Sequence, residues 1–319
     1  MILNDFLFSF NVVAPVFVIL FIGFFTGRKG ILDPETIRKL NWIVFNLALP
    51  MLLFRDIAAS DFTTVFDFRL ILFSVAGTLA AFAAGWLAAS RLVEKSEAGA
   101  FTQGCFRGNY ALIGIPIIAN IMGEAYTGKA ALIATFIIPL YNVLAIICLI
   151  AGAQAEDVKK GGQLKQALAG IAKNPLIIGI VLGLPFSFFR LSLPSFLSSS
   201  LNSMAAISTP LALLAIGASI SLKNAKGKFK SACIASSIKL IAIPALVIPL
   251  AAAIGFRGEN IAIIYVTFAA PTAVSSYIMA DRMRNDGPLA ASIVAITMLC
   301  SVATFTIGVF MLKSLGLLL

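Results

Sequence analysis

Histidine is missing from the 319 residues, and charged side chains make up only 12% of them. Without histidine there are no histidine-ligated zinc sites, histidine general bases or histidine proton relays. The scarcity of charge is equally restrictive, since a soluble domain carries about a quarter of its residues as Asp, Glu, Lys and Arg. Cysteine is sparse too. Cys105, Cys148, Cys233 and Cys300 stand singly in or beside apolar stretches, with no pair at metal or redox spacing, and they read as buried free thiols. No Asp or Glu falls deep within an apolar stretch: Asp61, Asp67, Glu124 and Asp281 all lie at ends. That leaves no buried carboxylate proton relay.

What is present is apolar: 60% of the residues are hydrophobic. They fall into runs of about 17 to 25, the length a helix needs to cross a bilayer core. The expected spans are 6–27, 40–55, 68–90, 99–122, 128–152, 173–190, 200–221, 229–254, 260–280 and 289–314. The first run is preceded by Asp5 and followed by Arg28 and Lys29. A secretory signal has the reverse charge order, so this run reads as a first membrane helix entering from outside.

A formal charge of +10 raises the question of nucleic acid. The basic residues, however, lie in the short connections, and no basic patch carries aromatics for base stacking. Arg55, Arg69, Lys129, Arg190, Arg257 and Lys313 fall on one side of the ten spans, and sixteen lysines and arginines on the other. Cytoplasmic loops hold the excess, which predicts an even number of spans with both termini outside. The longest connection, Gly152 to Ala172, contains the polar run from Ala153 to Gln163 and divides five spans from five. Five spans per half insert with opposite polarity, the inverted repeat of many secondary carriers. The sequence therefore predicts a first repeat over 1–155, a cytoplasmic linker over 156–172 and a second repeat over 173–319. A faint internal match agrees: Leu40-Asn41 precedes Pro50, and Leu201-Asn202 precedes Pro210, at the same rank in each half.

Spans four and nine, again at matching ranks, carry the clearest helix breakers. One reads Arg107-Gly108-Asn109-Tyr110 to Pro116, the other Thr267 through Ala270-Pro271-Thr272-Ala273 to Tyr277. Asn109 and Pro271 each lie about ten residues into their spans, roughly 15 Å deep. Broken helices at that depth are tolerated where protein or a wet cavity satisfies the freed backbone. They present half-helix N-termini, which suit an anion. Packing kinks are the plainer reading of either break alone; the matched pair points to function. Arg107 and Lys239 are basic residues within spans, where charge normally faces a protein interior or cavity. Arg107 could instead snorkel to the interface, and Lys239 could serve structurally by bonding to carbonyls of an interrupted helix. Cationic and neutral polar groups without a carboxylate suit an anionic substrate. Sodium coupling through carbonyl, Asn, Ser and Thr oxygens is chemically open, as is proton coupling.

The segments Leu40-Asn41 to Leu53, Gly108-Asn109 to Pro116, Lys173-Asn174-Pro175, Pro210 to Leu222 and Ala270-Pro271-Thr272-Ala273-Val274 to Asp281 carry a resemblance to the auxin efflux carrier family. That family includes plant auxin carriers and bacterial malonate- or malate-type carriers. The resemblance implies an all-α membrane protein of ten helices with a fold like that of bile-acid-type sodium symporters. Spans one, two, six and seven would form a scaffold; spans three to five and eight to ten would form a transport domain with elevator-like movement. It maps Asn109 and Pro116 to the first broken helix, and Pro271, Thr272 and Ala273 to the second. Tyr110, Arg107 and Lys239 complete the substrate-site candidates. Asn109, Asn142, Thr267, Ser275 and Ser276 are the coupling-ion candidates, with no metal implied beyond sodium and no cofactor. The long hydrophilic loop of many plant members is missing, so the form looks bacterial and a small mono- or dicarboxylate is favoured over auxin. The expected setting is a bacterial inner membrane; the expected partners are the organic anion, the lipid bilayer and a second copy through the scaffold. Sodium–anion symport, a channel and a serine–lysine intramembrane hydrolase using Lys239 are the competing functions.

Overall fold

A computed structural model describes residues 2–58, 66–152, 175–219, 228–283 and 285–318. The linker expected over 156–172 and Asp61 lie outside the described residues. Among those residues the secondary structure is helical, and the one strand-like feature is an isolated antiparallel bridge between Gly108 and Thr272.

Helix α1 runs Ile2–Arg28, α2 Pro34–Ile43, α3 Leu49–Ala58, α4 Phe68–Leu92, α5 Lys95–Phe106, α6 Ile115–Met122 and α7 Thr127–Gly152. After the linker come α8 Pro175–Phe189, α9 Ser195–Ser219, α10 Phe229–Ser237, α11 Ile243–Ile254, α12 Gly258–Ala269, α13 Ser275–Arg282 and α14 Gly287–Ser314. Among the described residues six helical stretches are long and apolar enough to cross a membrane: Pro34–Arg55, Phe68–Leu92, Glu124–Ala151, Ser195–Ala218, Phe229–Ile254 and Gly287–Ser314. Large apolar side chains such as Phe25, Phe196, Ile241 and Leu246 face outward, as lipid contact requires. The second span starts earlier than its apolar run, because Asp33 accepts a hydrogen bond from the Thr36 N–H and Pro34 opens the first turn. An N-cap with proline just inside it starts a helix irrespective of hydropathy.

Among the described residues three wide π turns interrupt the helices: Val44–Ala48 between α2 and α3, Tyr110–Gly114 before α6, and Ile238–Ala242 between α10 and α11. Each ends two residues before a proline, namely Pro50, Pro116 and Pro244. A proline ring clashes with the carbonyl one turn earlier, and a widened turn relieves that clash.

The helices pack in two groups. In one, α1 lies along α9 and α8 along α3. Glycines bring these backbones together: a Cβ on Gly217 would sit 2.0 Å from the Leu20 carbonyl oxygen, and one on Gly179 would sit 2.4 Å from that of Pro50. Small residues are how helices approach closely in lipid. In the other group α4, α5 and α7 pack together, and α10 to α14 close around them. The groups meet chiefly where α1 touches α14 and α6, and where α3 touches α7.

Candidate functional site

The second group holds two broken paths. Helix α5 stops at Phe106 and the chain resumes as a wide turn at Tyr110; α12 stops at Ala269 and resumes as α13 at Ser275. The interruptions meet backbone to backbone. The Asn109 N–H donates to the Pro271 carbonyl at 2.7 Å, next to the Gly108–Thr272 bridge. Thr272 is fully buried, its hydroxyl donating to the Gly104 carbonyl at 2.9 Å and its N–H to the Thr297 hydroxyl at 3.1 Å. These bonds satisfy backbone groups that the breaks would otherwise leave bare.

Beside this junction lies a cavity of about 340 Å³. Its wall includes Arg107, Asn109, Tyr110, Asn142, Ala273 and Ser275 from the second helix group, all six expected from the sequence. Asn41, Phe45 and Ile216 close it from the first group. Two helix starts open on it, at Tyr110–Leu112 and at Ala273–Ser275. The first N–H groups of a helix have no partner within it, and they carry the positive end of the helix dipole.

Arg107 is 7% exposed, and its guanidinium donates to Asn142 Oδ1 at 2.8 Å and to Met279 Sδ at 2.7 Å. Among the described side chains no acid pairs with it. Asn109 is 6% exposed, and its Nδ2 has no hydrogen-bond partner. A buried donor left without an acceptor costs about 1–3 kcal/mol, so this amide, carried by a residue of the cavity wall, lacks an acceptor that a ligand could supply. Tyr110 contributes backbone more than phenol, since its hydroxyl donates to the Ala130 carbonyl at 3.0 Å.

The other residues expected at the site lie off the cavity wall. Pro116 sits in the first turn of α6, just after the wide turn Tyr110–Gly114 that accommodates its ring. Pro271 and Thr272 build the junction. The Thr267 hydroxyl donates to the Ile263 carbonyl one turn back, and Ser276 Oγ is buried without a partner. Lys239 is fully buried and donates to the carbonyls of Phe268 at 2.9 Å and Phe106 at 3.3 Å. Sequence reasoning missed Asn41, Phe45, Tyr141, Ile216 and Met279 as wall residues. For Asn41 a signal was available: an amide near the start of an apolar span, matched by Asn202 in the other half.

Comparison with known proteins places this geometry. The model of a family described as membrane transport protein matches residues 8–309. The transporter YfdV of Escherichia coli (strain K12) is 26% identical over 303 residues, covering 93% of this chain and 95% of that protein. A Rhizobium meliloti (strain 1021) protein named for malonate transport is 27% identical over 309 residues, covering 95% and 96% of the two chains. A mouse protein, named lysosomal cholesterol signaling protein, is 25% identical over 255 residues, which span 76% of this chain and 29% of that one. The match runs through both broken paths and both helix groups, so the cavity at their junction belongs to a transporter rather than an enzyme: the chain is a multi-pass member of the membrane transport protein family, that of the auxin efflux carriers.

Proposed function

We propose that the chain is a secondary active carrier for a small organic anion, a mono- or dicarboxylate. The observation that carries this reading is the cavity wall. A guanidinium with no acid partner among the described side chains, an unpartnered amide N–H of Asn109 and two helix starts meet there. All of them favour negative charge, and 340 Å³ accommodates a small carboxylate. Malonate is the first candidate, since a relative of nearly the same length is named for its transport.

Ten spans in two inverted halves, each repeat as bounded above, account for the packing. The pairing of α1 with α9 is the repeat image of the pairing of α8 with α3. Glu97 and Glu259 each open the helix leading to an interruption, twelve residues before Asn109 and Pro271. Lysines hold both: Lys228 reaches Glu97, and Lys129 reaches Glu259. In this reading α1 to α3, α8 and α9 are the scaffold, through which a second copy would bind. The remaining helices are the moving body, and a site walled by both groups changes sides as one slides on the other. The loop charges favour a bacterial inner membrane with both termini outside.

The test is thermal unfolding of the purified protein with acetate, malonate, succinate and neutral malonamide. A ligand that binds the folded state raises the melting temperature. Stabilisation by a carboxylate and not by malonamide is the expected outcome; stabilisation by neutral or cationic compounds alone would overturn the reading.

A further inference from the structure

We propose that Lys239 is a resident cation, standing where a coupling sodium ion would otherwise bind, so that this carrier works without sodium. The inference rests on reading the chain as a carrier. Both α5 and α12 end at the junction, so two helix C-termini converge there. Each brings the equivalent of roughly half a negative charge, about one unit in all. Carriers with interrupted helices use such half-helix C-termini and unwound carbonyls to coordinate their cations.

Here the oxygens are already taken. The Lys239 ammonium bonds to the Phe268 carbonyl at 2.9 Å and the Phe106 carbonyl at 3.3 Å, one from each helix end. Among the described side chains no acid pairs with it, so the two helix ends supply its counter-charge. The fit is built from both directions. The wide turn Ile238–Ala242 carries the lysine, and Gly108 leaves room for it, since a Cβ there would lie 3.3 Å from Nζ. A sodium ion at these carbonyls would stand a few ångströms from a fixed like charge, in a site whose negative end is already balanced. One of the oxygens expected to coordinate a cation is also engaged: Asn142 Oδ1 accepts from Arg107.

The experiment compares thermal unfolding of the purified full-length protein in sodium chloride and in choline chloride at equal ionic strength. The wild type should melt at the same temperature in both. Lys239→Ala should melt lower in choline and recover by about 5 °C or more in sodium, because the vacated carbonyls accept the ion. Lys239→Arg, which keeps the charge, should remain indifferent to sodium. A wild type stabilised by sodium would overturn the proposal, as would a Lys239→Ala variant that melts alike in both salts. If that variant does not accumulate, Lys239→Gln is read by the same two outcomes. No arm uses an organic anion, so failure of every carboxylate to bind would sink the substrate reading and leave this result standing, and the reverse also holds.

Discussion

The junction of the broken helices has two sides, and they are treated oppositely. On the carbonyl side the ends of α5 and α12 are sealed by Lys239, with no exposure to solvent. On the amide side the starts at Tyr110 and Ser275 open on a cavity, and the Asn109 amide there has no partner. The same physical feature, a helix interrupted in an apolar setting, is a closed structural node in one direction and an open binding surface in the other. The difference lies in whether the chain supplies the counter-charge itself. Where it does, the backbone is satisfied and rigid; where it does not, a ligand must.

That contrast can be broken in graded steps. The largest effect should come from Arg107→Gln, which keeps a donor for Asn142 and removes the charge from the open side. Hydrogen bonds to charged groups contribute about 1.5–3 kcal/mol, so carboxylate affinity should fall ~10–100-fold with the melting temperature nearly unchanged. Titration of ligand-induced thermal shifts measures both. Asn109→Ala removes the unpartnered donor and should weaken binding by about tenfold. Because that donor is unsatisfied without ligand, the ligand-free protein should be no less stable, and an unfolding curve checks this.

Gly108→Ala tests the sealed side. Its Cβ would meet Ala270 Cβ, Lys239 Nζ and the Thr267 carbonyl, each at 3.3 Å. The cost should be about 1 kcal/mol of stability, the low end for overpacking, read as a lowered melting temperature. Uptake in liposomes should fall only a few-fold.

The smallest effect lies at the far end of α5. Lys228 bonds to Glu97 and lies 3.2 Å from Asp286. The hydrogen bond that Lys228 donates to Glu97 raises the lysine pKa above its ordinary range, against opposing desolvation. A raised folded value means the pair stabilises fully below the unfolded lysine pKa of about 10.4 and is lost as pH climbs through the folded value. With Lys228 one-third exposed, the loss should stay below about 1 kcal/mol. It should shrink in Glu97→Gln, which leaves only Asp286 beside Lys228, compared by unfolding at pH 8 and at alkaline pH.

Much of this was legible beforehand. The apolar runs gave the positions of the helices, and the breakers at Asn109 and Pro271 located the two interruptions, because proline and glycine act locally on the backbone. Five of the expected site residues, Arg107, Asn109, Tyr110, Ala273 and Ser275, line the cavity for the same reason: they flank the breaks. The wide turns were less legible. Pro50, Pro116 and Pro244 follow one, yet Pro139, Pro185 and Pro210 lie in helices without one, so proline alone does not announce the feature. Lys239 was visible as a buried charge, but its direction was not, because two opposite uses of an ammonium look identical in one dimension.

The sequence by itself determined a histidine-free, charge-poor helical membrane protein with two interruptions, since hydropathy and backbone chemistry are properties of neighbouring residues. Only the tertiary structure decided that those interruptions join, that Asn41, Phe45 and Ile216 close the cavity from the other helix group, and that Lys239 turns away from it. Each of these depends on which helices lie side by side, and that is settled by packing between residues a hundred or more positions apart.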